Sequence, residues 1–108
     1  MRTKKVAVKK SIKLRFGVIG LGGMGQQYCR ILSKMERVCL AAVCDAFPQA
    51  AESAGKKFNV PFFTDHRALI KARCCDVVAI ATQHPLHPQP AIDCMRAGIH
   101  VITEKPLS

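Results

Sequence analysis

Four glycines between residues 20 and 25 constrain this chain more than any other feature. They spell Gly20-Leu21-Gly22-Gly23-Met24-Gly25, a G-x-G-x-x-G, and the flanking residues give it meaning. Before it, Leu14 to Gly20 (LRFGVIG) reads as a β-strand. After it, Met24, Tyr28, Ile31 or Leu32, and Met35 recur at spacings of three and four, one apolar stripe of a helix. The methionines of that stripe read as core. A glycine cluster that closes a strand and opens a helix has three tasks. Gly20 permits a tight turn, Gly22 lets a pyrophosphate approach bare backbone, and Gly25 lets the helix pack closely on the strand. The helix start then offers amides and the positive end of a dipole to the phosphates. The motif alone is a weak signal. Its strand–turn–helix setting points to a dinucleotide, with S-adenosylmethionine as the main competing ligand. Leu21, Gly23 and Met24 lie in the same loop and join the three motif glycines as candidate cofactor contacts.

The rest of the chain repeats the alternation of strand and helix. Val38 to Cys44 (VCLAAVC) is a continuous apolar run, as expected of a strand covered on both faces. Pro48 suits a helix first turn, and Gln49 to Phe58 continues that helix. Val60 to Phe63 reads as a short third strand. Thr64 or Asp65 can cap a helix running to about Arg73. Asp76 to Ala81 (DVVAIA) is a fourth strand, followed by a loop rich in His and Pro from Thr82 to Pro88. Pro88 and Pro90 fit a helix start and Gly98 its C′ position. Ile99 to Ile102 is a fifth strand. Such alternation predicts an α/β fold, a Rossmann-type doubly wound parallel sheet of strand order 3-2-1-4-5.

In an open parallel sheet, ligands lie beyond the carboxyl ends of the strands, so residues just after each strand are candidates. Asp45 ends the second strand 20 residues past Gly25, where a carboxylate can accept from ribose hydroxyls; the alternative is an Asp that merely starts a turn. A 2′-phosphate beside Asp45 would be repelled by about 4 kcal/mol per charge pair at ~4 Å and an effective dielectric of ~20. No Arg follows, since the next residues are Ala46, Phe47 and Pro48. NAD is therefore expected over NADP. Ala81, Thr82 and His87 border the same crevice after the fourth strand. His84 and His87 lack a partner carboxylate or Cys, so no metal is expected. Glu104 and Lys105 follow the fifth strand. Lys105 can donate three hydrogen bonds, enough to orient a nicotinamide ribose and a substrate hydroxyl; taken alone, it reads as a surface lysine, and the glycine loop and Asp45 favour the functional reading.

Charge and cysteine usage narrow the class. The net charge is +10, but seven of the 17 basic residues lie in the first 15 positions, where there is no acid. Residues 1–13 therefore read as a basic, disordered tail and residues 14–108 as the folded domain. The tail has no aromatic residue to stack on bases, which argues against a nucleic-acid partner. It lacks an apolar stretch long enough for a signal peptide, and no run in the chain is long enough to span a membrane. A cytoplasmic location is expected. The six cysteines include no C-x-x-C pair. They read as reduced thiols inside apolar segments, and the adjacent Cys74 and Cys75 as thiols without a role.

The segments FGVIGLGGMG (Phe16 to Gly25) and ATQHPLHPQPAIDCMRAGIHVITEKPLS (Ala81 to Ser108) together resemble the N-terminal domain of the Gfo/Idh/MocA oxidoreductases. The resemblance covers about Leu14 to Ser108. It implies that Gly20, Gly22, Gly25 and Asp45 hold the cofactor, that Thr82 and His87 border the nicotinamide, and that Lys105, with Glu104 beside it, is the active-site lysine. It further implies hydride transfer between NAD and a hydroxyl-bearing carbon of a sugar or cyclitol. The resemblance departs at Gln83 and His84, where the family usually has Pro and then Asn or Asp. Family members also continue well beyond the E-K-P element into a substrate domain, through which a homo-oligomer can form. These 108 residues are accordingly expected to be the cofactor-binding part, inactive alone. The competing reading is a stand-alone NAD(H)-binding module or subunit without catalytic activity.

Overall fold

A computed structural model describes residues 13–81 and 88–103. Five strands, β1 (Leu14–Ile19), β2 (Val38–Cys44), β3 (Phe62–Phe63), β4 (Val77–Ile80) and β5 (His100–Thr103), form one sheet. Its order is β3-β2-β1-β4-β5 and every pairing is parallel. The expected strand order is thus the observed one. Four helices connect the strands: α1 (Gly23–Leu32), α2 (Pro48–Phe58), α3 (His66–Lys71) and α4 (Gln89–Arg96).

Parallel strands need crossovers, and the crossovers cover both faces. On one face Val18, Leu40 and Val43 of the sheet pack with Cys29 and Leu32 of α1 and Ala54 of α2. On the other, Ile19, Ala42, Cys44 and Val78 pack with Leu69 of α3 and Cys94 of α4. A β-bulge in β2 sorts these side chains. Phe16 pairs with Leu40 but Gly17 pairs with Ala42, so Ala41 is the extra residue. The inserted residue flips the alternation, and the end of β2 places Val43 on the α1 face and Cys44 on the α3 face.

Three sequence expectations need correction. The buried face of α1 is Gly25, Cys29 and Leu32, whereas Met24 and Met35 are 44% and 48% exposed and not core. Gly25 causes this: a Cβ there would overlap the carbonyl oxygen of Gly20, so the helix lies against the strand end along its glycine. The third strand pairs only through Phe62 and Phe63 rather than from Val60. Pro61 has no N–H to give the ladder, although its carbonyl accepts from Val43 N–H at 3.1 Å. Helix α3 stops at Lys71, short of Arg73, which takes a left-handed φ of 51°.

The helix boundaries follow local chemistry. Asp65 caps α3 by accepting from the Arg67 amide at 2.8 Å. Asn59 ends α2 in the left-handed region (φ 57°), and Gly98 (φ 84°) follows the end of α4. At the amino-terminal end of the sheet, Arg15 and Asp76 tie β1 to the start of β4. Asp76 accepts from the Arg15 amide at 2.8 Å and from the Arg15 guanidinium at 3.0 Å.

Candidate dinucleotide site

The carboxyl ends of β1, β2 and β4 meet at one place. Gly20 N–H donates to Cys44 C=O and Ala81 N–H to Ile19 C=O, both at 2.8 Å. The chain leaves the sheet here through Gly20, whose φ of 96° lies where L side chains are disfavoured. It then enters α1 with Gly22 as the N-cap. The first-turn amides of a helix have no intrahelical partner, and no side chain caps α1. They face the region beyond the strand ends.

The three motif glycines are held to glycine for different reasons. Gly20 is required by its backbone angle. Gly25 is required by contact with the Gly20 carbonyl. Gly22 is required by neither: its φ is −74°, and a Cβ built on it meets nothing within 4 Å. Gly23 likewise opens on empty space. The fold needs no glycine at these two positions, so a cradle free of side chains is left beside the helix start. That space is what a diphosphate lying on the backbone needs.

Asp45 lies at the rim of the same crevice, next to β1 in the sheet. Its Oδ2 accepts from the Leu21 amide at 2.8 Å and its Oδ1 from the Phe47 amide at 2.9 Å. Each carboxylate oxygen has two acceptor sites, so each keeps one for a hydroxyl donor. Asp45 is only half-buried, which leaves room for such a donor. The two readings of Asp45, turn starter and ribose acceptor, are therefore compatible. Leu21 is buried in the α1-side core, and its amide, not its side chain, faces the site. Met24 is exposed on the first turn of α1. Ala81 is 8% exposed, so only a small surface of it reaches the crevice.

Thr82, His87, Glu104 and Lys105 lie outside the described residues. Among the described residues, no three His, Cys, Asp or Glu gather in a group suited to a metal ion. Cys44 sits directly before Asp45, and burial pushes its thiol up to about 12, with the Asp45 charge adding to the effect. Its side chain is buried in the core on the α3 face. Sequence reasoning passed over one residue of this region. Phe47 is 74% exposed immediately beside the Asp45 carboxylate. An aromatic two residues past an acid at a strand end was the available signal.

A sheet of this order with a glycine cradle and an acid at the next strand end defines a dinucleotide-binding domain. The chain belongs to the Gfo/Idh/MocA family, whose family model, described as an oxidoreductase family with an NAD-binding Rossmann fold, matches residues 14–108. The curated relatives include an inositol 2-dehydrogenase/D-chiro-inositol 3-dehydrogenase of Halalkalibacterium halodurans, 34% identical over 98 residues, covering 88% of this chain and 28% of that protein. Trans-1,2-dihydrobenzene-1,2-diol dehydrogenase of Mus musculus is 32% identical over 99 residues, covering 87% and 29%. Among solved structures, the WlbA dehydrogenase of Bordetella pertussis in complex with NADH and UDP-GlcNAcA superposes with a TM-score of 0.82 at 30% identity, covering 90% of this chain and 30% of that one. Scyllo-inositol dehydrogenase of Lactobacillus casei with NAD(H) and scyllo-inositol gives 0.80 at 27% identity, covering 88% and 28%. The chain thus spans somewhat under a third of the length of these relatives.

Proposed function

We propose that residues 14–108 hold NAD(H) for an oxidoreductase acting on a CH–OH carbon of a sugar or cyclitol. The observation that carries this is Gly22, a glycine that neither the backbone nor the packing of the fold requires. Gly20, Gly22, Gly23 and Gly25, with the amide of Met24, hold the diphosphate, and Leu21 shapes their loop by donating its amide to Asp45. Asp45 accepts from the adenosine ribose hydroxyls and disfavours a 2′-phosphate, which selects NAD over NADP. When bound, the nicotinamide supplies the hydride acceptor or donor. Ala81, Thr82 and His87 border its position.

Lys105, with Glu104 beside it, donates hydrogen bonds to the substrate hydroxyl and steadies negative charge developing on its oxygen. The proton of that hydroxyl goes to a base outside these 108 residues. The inositol, dihydrodiol and nucleotide-sugar substrates named for the relatives support a polyol-like substrate. Ile102 is 46% exposed on the edge strand β5, which fits a sheet edge covered in the working enzyme. No helix among the described residues is long and apolar enough to cross a membrane. A cytoplasmic setting fits the six unpaired cysteines.

The test is titration of the 108-residue chain with NADH and NADPH, followed by fluorescence of the reduced nicotinamide. The expected result is saturable NADH binding, weaker NADPH binding, and no dehydrogenase turnover with polyols. Absence of saturable NADH binding at millimolar concentration would refute the proposal.

A further inference from the structure

The chain has five phenylalanines. Phe16, Phe58 and Phe63 pack against the two core clusters, and Phe62 lies against Gly55 of α2. Phe47 does none of this. It is 74% exposed, the most exposed large apolar side chain among the described residues, and it belongs to neither cluster.

Its backbone is nevertheless fixed. The Phe47 amide donates to Asp45 Oδ1 at 2.9 Å, and its carbonyl accepts from the Ala51 amide at 3.1 Å. It is the N-cap of α2 in extended conformation, with Pro48 immediately after it. An aromatic ring on an immobilised backbone, turned to solvent, loses contact energy without a partner but little entropy when one arrives. The carboxylate that holds its amide is the group read above as the ribose acceptor. Two residues of chain span at most about 7 Å, so the Phe47 side chain starts close beside that carboxylate. In adenosine the base is bonded to the ribose carbon next to the 2′-hydroxyl, so a ribose held by Asp45 has its base within reach of Phe47.

We propose that Phe47 is the aromatic shelf on which the adenine of the dinucleotide stacks. This rests on the reading of Asp45 as the ribose acceptor. The shelf supplies affinity for the adenosine half through the face of the base and reads nothing on its edges, because every purine has such a face. It therefore accepts hypoxanthine in place of adenine, and contributes nothing to a cofactor that ends at the nicotinamide ribose phosphate.

The chain contains no tryptophan, so Phe47→Trp installs a single reporter. ADP-ribose, NADH, nicotinamide hypoxanthine dinucleotide (reduced) and reduced nicotinamide mononucleotide are titrated into the wild-type chain, Phe47→Ala and Phe47→Trp. Melting curves confirm folding of each. Phe47→Ala is expected to weaken ADP-ribose and both dinucleotides about tenfold and to leave the mononucleotide unchanged. Phe47→Trp is expected to retain binding, with its emission quenched by ADP-ribose. Wild-type affinity for ADP-ribose in Phe47→Ala, or unquenched emission at saturation, overturns the shelf while the dinucleotide site stands. No ADP-ribose or NADH binding to the wild type overturns both. A change of oligomeric state in Phe47→Ala with cofactor affinity intact assigns the ring to a protein contact and overturns the shelf.

Discussion

The amide of Leu21 donates to Oδ2 of Asp45 at 2.8 Å, joining the glycine turn after β1 to the end of β2 across 24 residues of sequence. On the proposed reading, the carboxylate that accepts from the ribose also fixes the loop that receives the diphosphate. The two halves of the site are thus set by one side chain.

This double role separates two substitutions. Asp45→Asn keeps an oxygen for the Leu21 amide but removes the charge, whereas Asp45→Ala removes both. Asp45→Asn should cost about 1 kcal/mol of stability, because its NH2 group cannot accept from the Phe47 amide, and raise NADP affinity relative to NAD by at least tenfold, about 1.4 kcal/mol. Asp45→Ala should add a stability loss of about 1–2 kcal/mol, because a partly buried amide loses its charged acceptor. Paired NADH and NADPH titrations and urea melts measure these effects. An unchanged NAD:NADP ratio in both variants would show that Asp45 organises the loop and does not read the ribose.

The glycines divide in the same way. Gly25→Ala drives a Cβ into the Gly20 carbonyl. Overpacking typically costs ~1–3 kcal/mol, and a clash with backbone belongs at or above the top of that range, lowering the midpoint of thermal unfolding by more than 10 °C in a domain this small. Gly22→Val meets open space at an ordinary φ, so its stability should change by about 1 kcal/mol or less while dinucleotide affinity falls at least tenfold. Equal thermal stability for the two variants, or intact NADH binding in Gly22→Val, would contradict this division.

The sheet order was legible because four of the five strands end on recognisable chemistry: Gly20, Asp45, the Pro-rich segment after Ala81, and the E-K-P element. The rotation of α1 was not. Hydropathy follows large side chains, and Met24, Tyr28, Ile31 and Met35 outweigh a glycine. The helix is nonetheless oriented by Gly25, whose missing side chain lets it touch β1. Its buried face lies one residue on, about 100° around the axis. The bulge at Ala41 was equally hidden, since an unbroken run such as VCLAAVC has no alternation to interrupt. In the candidate site, Gly22 and Asp45 were legible as candidates from the glycine spacing in its strand–turn–helix setting. Phe47 was less so, because hydropathy reads any phenylalanine as core and only its place two residues past Asp45 marks it.

Packing on the α3 face contains its own test. A Cβ on Gly17 would lie 2.6 Å from Cys75 Sγ and 3.5 Å from a Val78 methyl. Cys75 is buried and has little space to yield. Gly17→Ala should therefore cost about 1–3 kcal/mol. Combined with Cys75→Ala, which clears the space, the loss should shrink, giving a favourable coupling of at least 0.5 kcal/mol in a double-mutant cycle. Strict additivity of the two single changes in urea melts would place the strain elsewhere.

Buried thiols set the alkaline limit of the domain. Burial pushes Cys29 up to about 11 and Cys44 up to about 12, and it raises Cys75 and Cys94 as well. In the unfolded chain these thiols ionise near 9, so above that pH the folded state binds more protons than the unfolded one. Stability present below pH 9 should then be lost as pH rises toward 11 and 12, at no more than about 1.4 kcal/mol per pH unit for each thiol kept neutral. Urea melts between pH 7 and 10.5 should show a plateau followed by a decline. Cys44→Ala should reduce the slope of that decline, whatever its effect on stability at neutral pH. An identical slope with and without the Cys44 thiol would mean that it reaches water and ionises in the folded protein. Rapid alkylation of Cys44 at pH 8 under native conditions would then accompany it.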